Sequence, residues 1–136
     1  MSVVAELIRT EASGALSFGN YELDAKAKKE DFECAGNLYK VKTFKEMTKL
    51  ERDGMFVYES VPGTSVHEFV TTADGVDFTV CGDEDAQIIV GLKEDTEYEV
   101  VVAGKSSGKM KTNLGGKLNL SVELAGNGEV PVSIKL

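Results

Sequence analysis

A chain of 136 residues, 42% of them hydrophobic, fits one ordinary domain with a core of its own, so a disordered tether is excluded. The formal charge of −8 argues against a nucleic-acid partner and an anionic membrane surface, which both call for Lys and Arg gathered on one face. Fourteen Gly against two Pro point to many tight turns, and Trp is absent.

From Met1 to Thr10 no basic segment precedes the apolar residues, and Glu6 interrupts the run Val3, Val4, Ala5, Leu7, Ile8. Neither a signal peptide nor a spanning helix is expected there. Residues 2–12 instead suggest a short amphipathic helix: Val4, Leu7, Ile8 and Glu11 follow helical spacing, Ser2 offers an N-cap and Gly14 a stop. Such a helix is marginal alone and must dock on something.

From Gly14 onward the period is two. A turn at Gly19-Asn20 sets Phe18 opposite Tyr21 and Leu16 opposite Leu23. A turn at Gly36-Asn37 pairs Cys34 with Tyr39 and Phe32 with Val41, and on the other face Glu33 with Lys40 and Asp31 with Lys42. Lys26, Lys28 and Lys29 form the basic run, followed at once by Glu30 and Asp31, as expected of a solvated strand entry. Thr43 and Glu46 fit a capping box, Met47 and Leu50 share a helical face, and Gly54 suits a stop, so a second short helix is expected near 44–53. Met55 to Val61 returns to strand and ends at Pro62-Gly63. That dipeptide divides an N-terminal helix-plus-hairpin unit, 1–62, from a second unit, 63–136, unless the two share one core.

In the second half, a turn at Asp74-Gly75 aligns Phe69, Thr71 and Ala73 with Val80, Phe78 and Val76. Ala86 to Val90 and Thr96 to Ala103 make further strands, and the loop from Ala103 to Lys109 allows several registers. A loop at Leu114-Gly115-Gly116 sets Met110 opposite Leu120 and Thr112 opposite Leu118. A loop from Ala125 to Glu129 pairs Leu124 with Val130, Val122 with Val132, Leu120 with Ile134 and Leu118 with Leu136. The expected fold is therefore mainly β: an antiparallel β-sandwich built from hairpins, with the two short helices. Cys34 and Cys81 lie inside strand-like stretches, which suits buried reduced thiols in the cytoplasm, with a disulfide as the alternative.

The stretch Gly91-Leu92-Lys93-Glu94-Asp95-Thr96-Glu97-Tyr98-Glu99-Val100 resembles the E–F corner of fibronectin type III and related Ig-like domains. That resemblance implies a core Leu92 and a corner Tyr98 whose hydroxyl bonds back to nearby backbone. A meander of hairpin-linked strands after it departs from the Greek-key crossing of those domains. Residues 92–136 also look like the small C-terminal β-sandwiches appended to bacterial glycan-active enzymes. Through Ser17-Phe18-Gly19, 38–44 (LYKVKTF), 57–64 (VYESVPGT) and 112–118 (TNLGGKL), nearly the whole chain is similar to a group of small uncharacterised bacterial proteins. Some of them carry the label endosialidase, which implies hydrolysis of polysialic acid.

The residues give that chemistry little to work with. Clamping a sialoside carboxylate takes several converging arginines, and the chain has Arg9 and Arg52, each on an expected helix. With 23 Asp and Glu, pairs of carboxylates arise by coincidence. Any Ser-His-acid site must use His67, read here as a strand histidine, and Ser106-Ser107-Gly108 reads as a turn. One His and two separated Cys do not fill a zinc site. Asp83-Glu84-Asp85, with Asp74 and Asp77, is the densest oxygen cluster for calcium but reads as a solvated loop. Gly115-Gly116 lacks the residues of a phosphate loop. Of the tyrosines a glycan surface would present (Tyr21, Tyr39, Tyr58, Tyr98), the pairing turns Tyr21 and Tyr39 inward. No catalytic, cofactor-binding or metal-binding residue is assigned and no cofactor is expected. The expected function is non-catalytic: a structural or protein-interaction protein, self-assembling or bound to another protein, through strand edges. An accessory glycan-binding module or a glycan hydrolase is the alternative.

Overall fold

The computed structural model describes residues 3–136. Alternating side chains become strands β1 (Ile8–Thr10), β2 (Leu16–Phe18), β3 (Ala27–Cys34), β4 (Asn37–Phe44), β5 (Met47–Arg52), β6 (Met55–Val61), β7 (Ser65–Thr72), β8 (Gly75–Cys81), β9 (Ala86–Gly91), β10 (Glu97–Val102), β11 (Lys105–Lys111), β12 (Lys117–Val122) and β13 (Val130–Lys135). They form two antiparallel sheets, one of seven strands in the order β1-β2-β7-β8-β13-β10-β11 and one of six in the order β12-β9-β6-β5-β4-β3. No helix occurs among the described residues.

Both expected helices give way to strand pairing. At the N-terminus, Ser2, the expected cap, lies outside the described residues. Leu7 takes φ +75°, which ends any helix, and Ile8, Arg9 and Thr10 pair with Phe18, Ser17 and Leu16. Val4 and Ile8 are both buried, as helical spacing demanded, but a turn closed by the Leu7 N–H on the Val4 carbonyl (3.0 Å) puts them there. Near 44–53 the chain reverses at Lys45-Glu46, so Phe44 faces Met47 and Thr43 faces Thr48. Alternate residues Val41, Thr43, Thr48 and Leu50 are buried. So short a helix has little stability alone, and a ladder with neighbours on both sides outcompetes it.

Two of the expected turns, Gly36-Asn37 and Asp74-Gly75, sit one residue earlier than the pairing rules suggest. Ala35-Gly36, Asp53-Gly54 and Ala103-Gly104 each have positive φ at both residues (52° and 83°, 51° and 80°, 54° and 78°), the twist-matched geometry of two-residue hairpins. Glycine thus takes the second turn position, and Cys34 faces Asn37 while Phe32 faces Tyr39. Likewise β7 and β8 turn at Ala73-Asp74, with Thr72 opposite Gly75 and Thr71 opposite Val76. The Gly19-Asn20 hairpin does not form. β2 lies between β1 and β7, and Tyr21 is buried from a loop in which the Asn20 side chain accepts the Glu22 N–H at 3.0 Å. Ser106-Ser107-Gly108 is part of β11, with the register shift of the β10–β11 ladder nearby, and is not a turn.

The largest correction concerns the last three strands. β11 and β12 do not pair, nor do β12 and β13. β12 pairs with β9 in one sheet, while β13 lies between β8 and β10 in the other. Leu118, Leu120 and Val122 therefore meet Val132 and Ile134 in one buried cluster rather than along one ladder. The chain crosses between sheets at both connections, so the expected meander is absent.

That cluster draws on residues from Ile8 to Ile134. At its centre the ring of Tyr58, from the six-stranded sheet, meets Phe18, Phe69 and Phe78 of the seven-stranded sheet edge-on, with centroids 5.4, 6.4 and 5.8 Å apart. β6 leaves one sheet and β7 enters the other around Pro62-Gly63-Thr64, and a buried hydroxyl chain holds this corner. The Thr48 hydroxyl donates to the Thr64 carbonyl (2.7 Å) and accepts the Thr64 N–H (3.1 Å). Its one proton being committed, Thr43 must be the donor in the 2.8 Å Thr43–Thr48 contact, and Thr43 accepts the Asn20 N–H at 2.8 Å. The Thr64 hydroxyl meets Tyr58 Oη at 2.8 Å and Ser60 Oγ at 2.7 Å. A Cβ on Gly63 would collide with the Phe44 carbonyl, so only glycine passes there.

Thr64→Val keeps the shape and removes the hub, leaving the Tyr58 and Ser60 hydroxyls short of a partner. Urea unfolding should show a loss of about 1–3 kcal/mol, and an unchanged midpoint would contradict the network's role. Burial pushes the Tyr58 phenol well above the ordinary tyrosine range, with the Thr64 and Ser60 hydrogen bonds opposing it. Its folded pKa being raised, stability is full below the ordinary value of about 10 and falls as pH rises beyond it. In an alkaline absorbance titration, Tyr58 should ionise only as the protein unfolds; ionisation of all four tyrosines with the fold intact would refute this.

Candidate functional site

An open sheet leaves backbone donors and acceptors at its edges, and the two sheets end in β1, β11, β3 and β12. Natural edges are usually guarded by shortness, bulges or lysines. β1 has three residues and carries Arg9, bonded to Glu11 (2.9 Å) and paired with Glu6 (3.4 Å). β3 is bulged between Lys29 and Phe32, with Asp31 at φ +57°. Its Glu30 is held below the usual carboxylate range by Lys28 and Lys40, each 3.4 Å away. β11 is exposed almost throughout, breaks register with β10 and carries Lys105, Lys109 and Lys111.

β12 has none of these devices beyond Lys117 at its start. From Lys117 to Val122 it pairs with Gly91 to Ala86 without a register shift. Leu118, Leu120 and Val122 point into the core, and Lys117, Asn119 and Ser121 point out. The Gly116 carbonyl accepts the Leu92 N–H at 2.7 Å, which fixes that residue's backbone on the β9 side. Alternation then turns the N–H and C=O of Lys117, Asn119 and Ser121 to the open side. Asn113 takes those of Lys117, at 3.0 and 3.1 Å. Asn119 and Ser121 face no strand. A groove of about 560 Å³ opens beside this edge, lined by Ser121, Glu123, Lys105, Ser107, Asn127 and Glu129.

The residues weighed for chemistry are dispersed. Arg52 lines a cleft of about 470 Å³ with Phe56, Lys93, Glu94 and Tyr98; Arg9 is not among its walls. His67 lies on β7, opposite Thr79. Near it Glu11 accepts from the Ser17 hydroxyl (2.5 Å), and Ser17 accepts the Glu68 N–H (3.2 Å) where β7 bulges with Glu68 at φ +55°. Asp77 pairs with Lys135 at 2.7 Å; burial raises its carboxyl, and hydrogen bonds from Lys135 and Ser133 outweigh that and lower it. Asp85 accepts the N–H groups of Leu124 and Ala125 at 3.0 and 3.1 Å, and Asp83 and Glu84 are exposed. No group of three His, Cys, Asp or Glu placed to hold a metal occurs among the described residues. Cys34 and Cys81 are buried thiols in different sheets, not joined by a disulfide, and the Cys81 thiol donates to the Ser65 carbonyl at 3.6 Å. Tyr21, Tyr39, Tyr58 and Tyr98 are all buried.

The edge residues Asn119, Ser121 and Glu123 were not singled out from the sequence, because the expected hairpins gave β12 a neighbour on each side. Alternation alone does not say whether two apolar-faced strands lie side by side or face to face. No family model, curated protein or solved structure matches the chain.

The Ser17 hydrogen bond is the chief cause holding the Glu11 carboxyl below the usual range, helped by Arg9. Ser17→Ala should raise the Glu11 pKa toward the ordinary glutamate value in an NMR titration. A depressed folded pKa makes the contact stabilising above the unfolded pKa and lost as pH falls through the folded one. No change in the titration would sink this assignment.

Proposed function

We propose that the chain is a non-catalytic interaction protein, its two sheets packed as a β-sandwich, and that it acts by accepting an extended segment on the open edge of β12. The observation that supports this is the pair of residues, Asn119 and Ser121, whose backbone groups face no strand on an edge with neither bulge nor central charge. Strand addition takes its affinity from such main-chain bonds. The hydrogen bond from the Lys93 N–H to the Tyr98 hydroxyl, 3.3 Å, favours kinship with fibronectin type III and Ig-like corners. Two buried thiols not joined by a disulfide suit a cytoplasmic setting.

A glycan-binding role, or hydrolysis in line with the endosialidase label, is supported by the cleft that Arg52, Phe56 and Lys93 line. A glycan array and a reducing-end assay on polysialic acid test it; silence in both disposes of it.

Ser121→Pro removes one edge donor, and with it the Gln87 side-chain bond to the Ser121 hydroxyl (2.6 Å), while sparing the backbone bonds to β9. In affinity capture from its own cells, the wild type should retain at least one protein, its own chain included, that the variant loses. Identical retained sets, with both proteins folded by circular dichroism, would overturn strand addition at β12.

A further inference from the structure

Resting on that reading, we infer that the segment β12 receives is β12 of a second copy of this chain, the two running antiparallel about a two-fold axis at Leu120. The strand is self-complementary in three independent respects. Inward residues have even numbers and outward residues odd ones, so a continuous sheet requires the numbers of facing residues to sum to an even value. With Leu120 on the axis, Asn119 faces Ser121 of the second copy and Ser121 faces its Asn119. These are the two residues whose N–H and C=O groups are turned outward, and each pair exchanges two hydrogen bonds. On the inner face Leu118 falls opposite Val122 of the second copy and Leu120 opposite its own counterpart, apolar against apolar; all three are already buried within one copy, so no polar side chain is forced against the core at the seam. On the outer face Lys117 meets Glu123 of the second copy, and by symmetry Glu123 meets its Lys117, opposite charges at both ends of the joint.

The other edges lack this match. A second β11 would set Lys105, Lys109 and Lys111 against lysines, β3 is bulged, and β1 is three residues long. Lys117 is exposed, its ammonium resting 4.7 Å from the Phe56 ring centroid, and its flexible stem lets it turn toward the joint. The groove beside Ser121 and Glu123 leaves room for the incoming strand. The product is a twelve-stranded sheet made of two six-stranded halves.

Sedimentation over a dilution series tests this. Wild type should approach twice the 14.6 kDa chain mass as concentration rises, with amide exchange at Asn119 and Ser121 slowing in step. Ser121→Pro should stay at the single-chain mass. Glu123→Lys sets ammonium against ammonium at both ends of the joint, and Lys117→Glu sets carboxylate against carboxylate. Each should weaken association on the order of 10-fold through the two symmetric pairs. Mixing these two variants sets an all-lysine edge against an all-glutamate one, opposite charges at both ends, and should restore association as a mixed pair; combining both changes in one chain also restores opposite charges throughout and should restore the dimer. The charge variants keep every β9 contact, so they report even if the proline variant fails to fold. A wild type at single-chain mass throughout overturns self-pairing, as does a dimer indifferent to all three changes. Single-chain mass together with Ser121-dependent capture of a different protein would overturn self-pairing and leave strand addition standing; loss of both would remove both.

Discussion

The Thr64 hydroxyl and carbonyl are the point on which the arrangement turns. β6 belongs to one sheet and β7 to the other, so the corner between them carries polar backbone through the middle of an apolar cluster. Buried polar groups are tolerable only when partnered, and Thr43, Thr48, Tyr58, Ser60 and Thr64 partner one another. No buried side-chain N or O is left without a partner among the described residues. The same chain of bonds reaches Asn20, and Ser65 donates to the Gly19 carbonyl at 2.8 Å, so the segment leading out of β2 is fastened to the corner as well. Tyr58 joins the two halves of this arrangement: its ring fills the space between the sheets and its hydroxyl ends in the network.

Much of the strand content was legible from alternation, because burying one face of a sheet demands a period of two wherever the other face is wet. Met55–Val61 was read as the structure has it. What the pattern did not encode was the partner of each strand. Leu118, Leu120 and Val122 satisfy Val132 and Ile134 equally well beside them or across from them, and the choice rests on long-range packing that no local rule reports. The helices near 2–12 and 44–53 were misread for a related reason. Short amphipathic stretches carry both periods at once, and Thr43, Met47 and Leu50 have helical spacing although it is Val41, Thr43, Thr48 and Leu50 that are buried. Turns slipped by one residue at Ala35-Gly36, where Ala35 accepts the left-handed conformation that glycine was expected to supply first, and at Ala73-Asp74.

The candidate site follows from these same partner choices. With two neighbours β12 would be an ordinary inner strand; with β9 alone it becomes an edge whose backbone groups at Asn119 and Ser121 are addressed outward. The charged residues weighed for chemistry are largely engaged elsewhere. Arg9 serves Glu6 and Glu11, Asp77 serves Lys135, and Asp85 caps the end of β12 through the Leu124 and Ala125 N–H groups. An acidic chain thus uses several of its carboxylates to fix loops and strand ends.

The position of β13 governs how the molecule can be assembled during synthesis. Residues 130–135 are the link between β8, some fifty positions earlier, and β10, some thirty earlier. A nascent chain that has not yet released them holds β1-β2-β7-β8 and β10-β11 as two separate fragments, with Val76, Phe78 and Val80 missing the neighbours they will later have. Closure at such sequence separation carries a large entropic cost and is slow. Until it happens the unfinished sheet exposes two additional raw borders, which makes the interval before residue 135 emerges the one in which this protein is most open to mispairing.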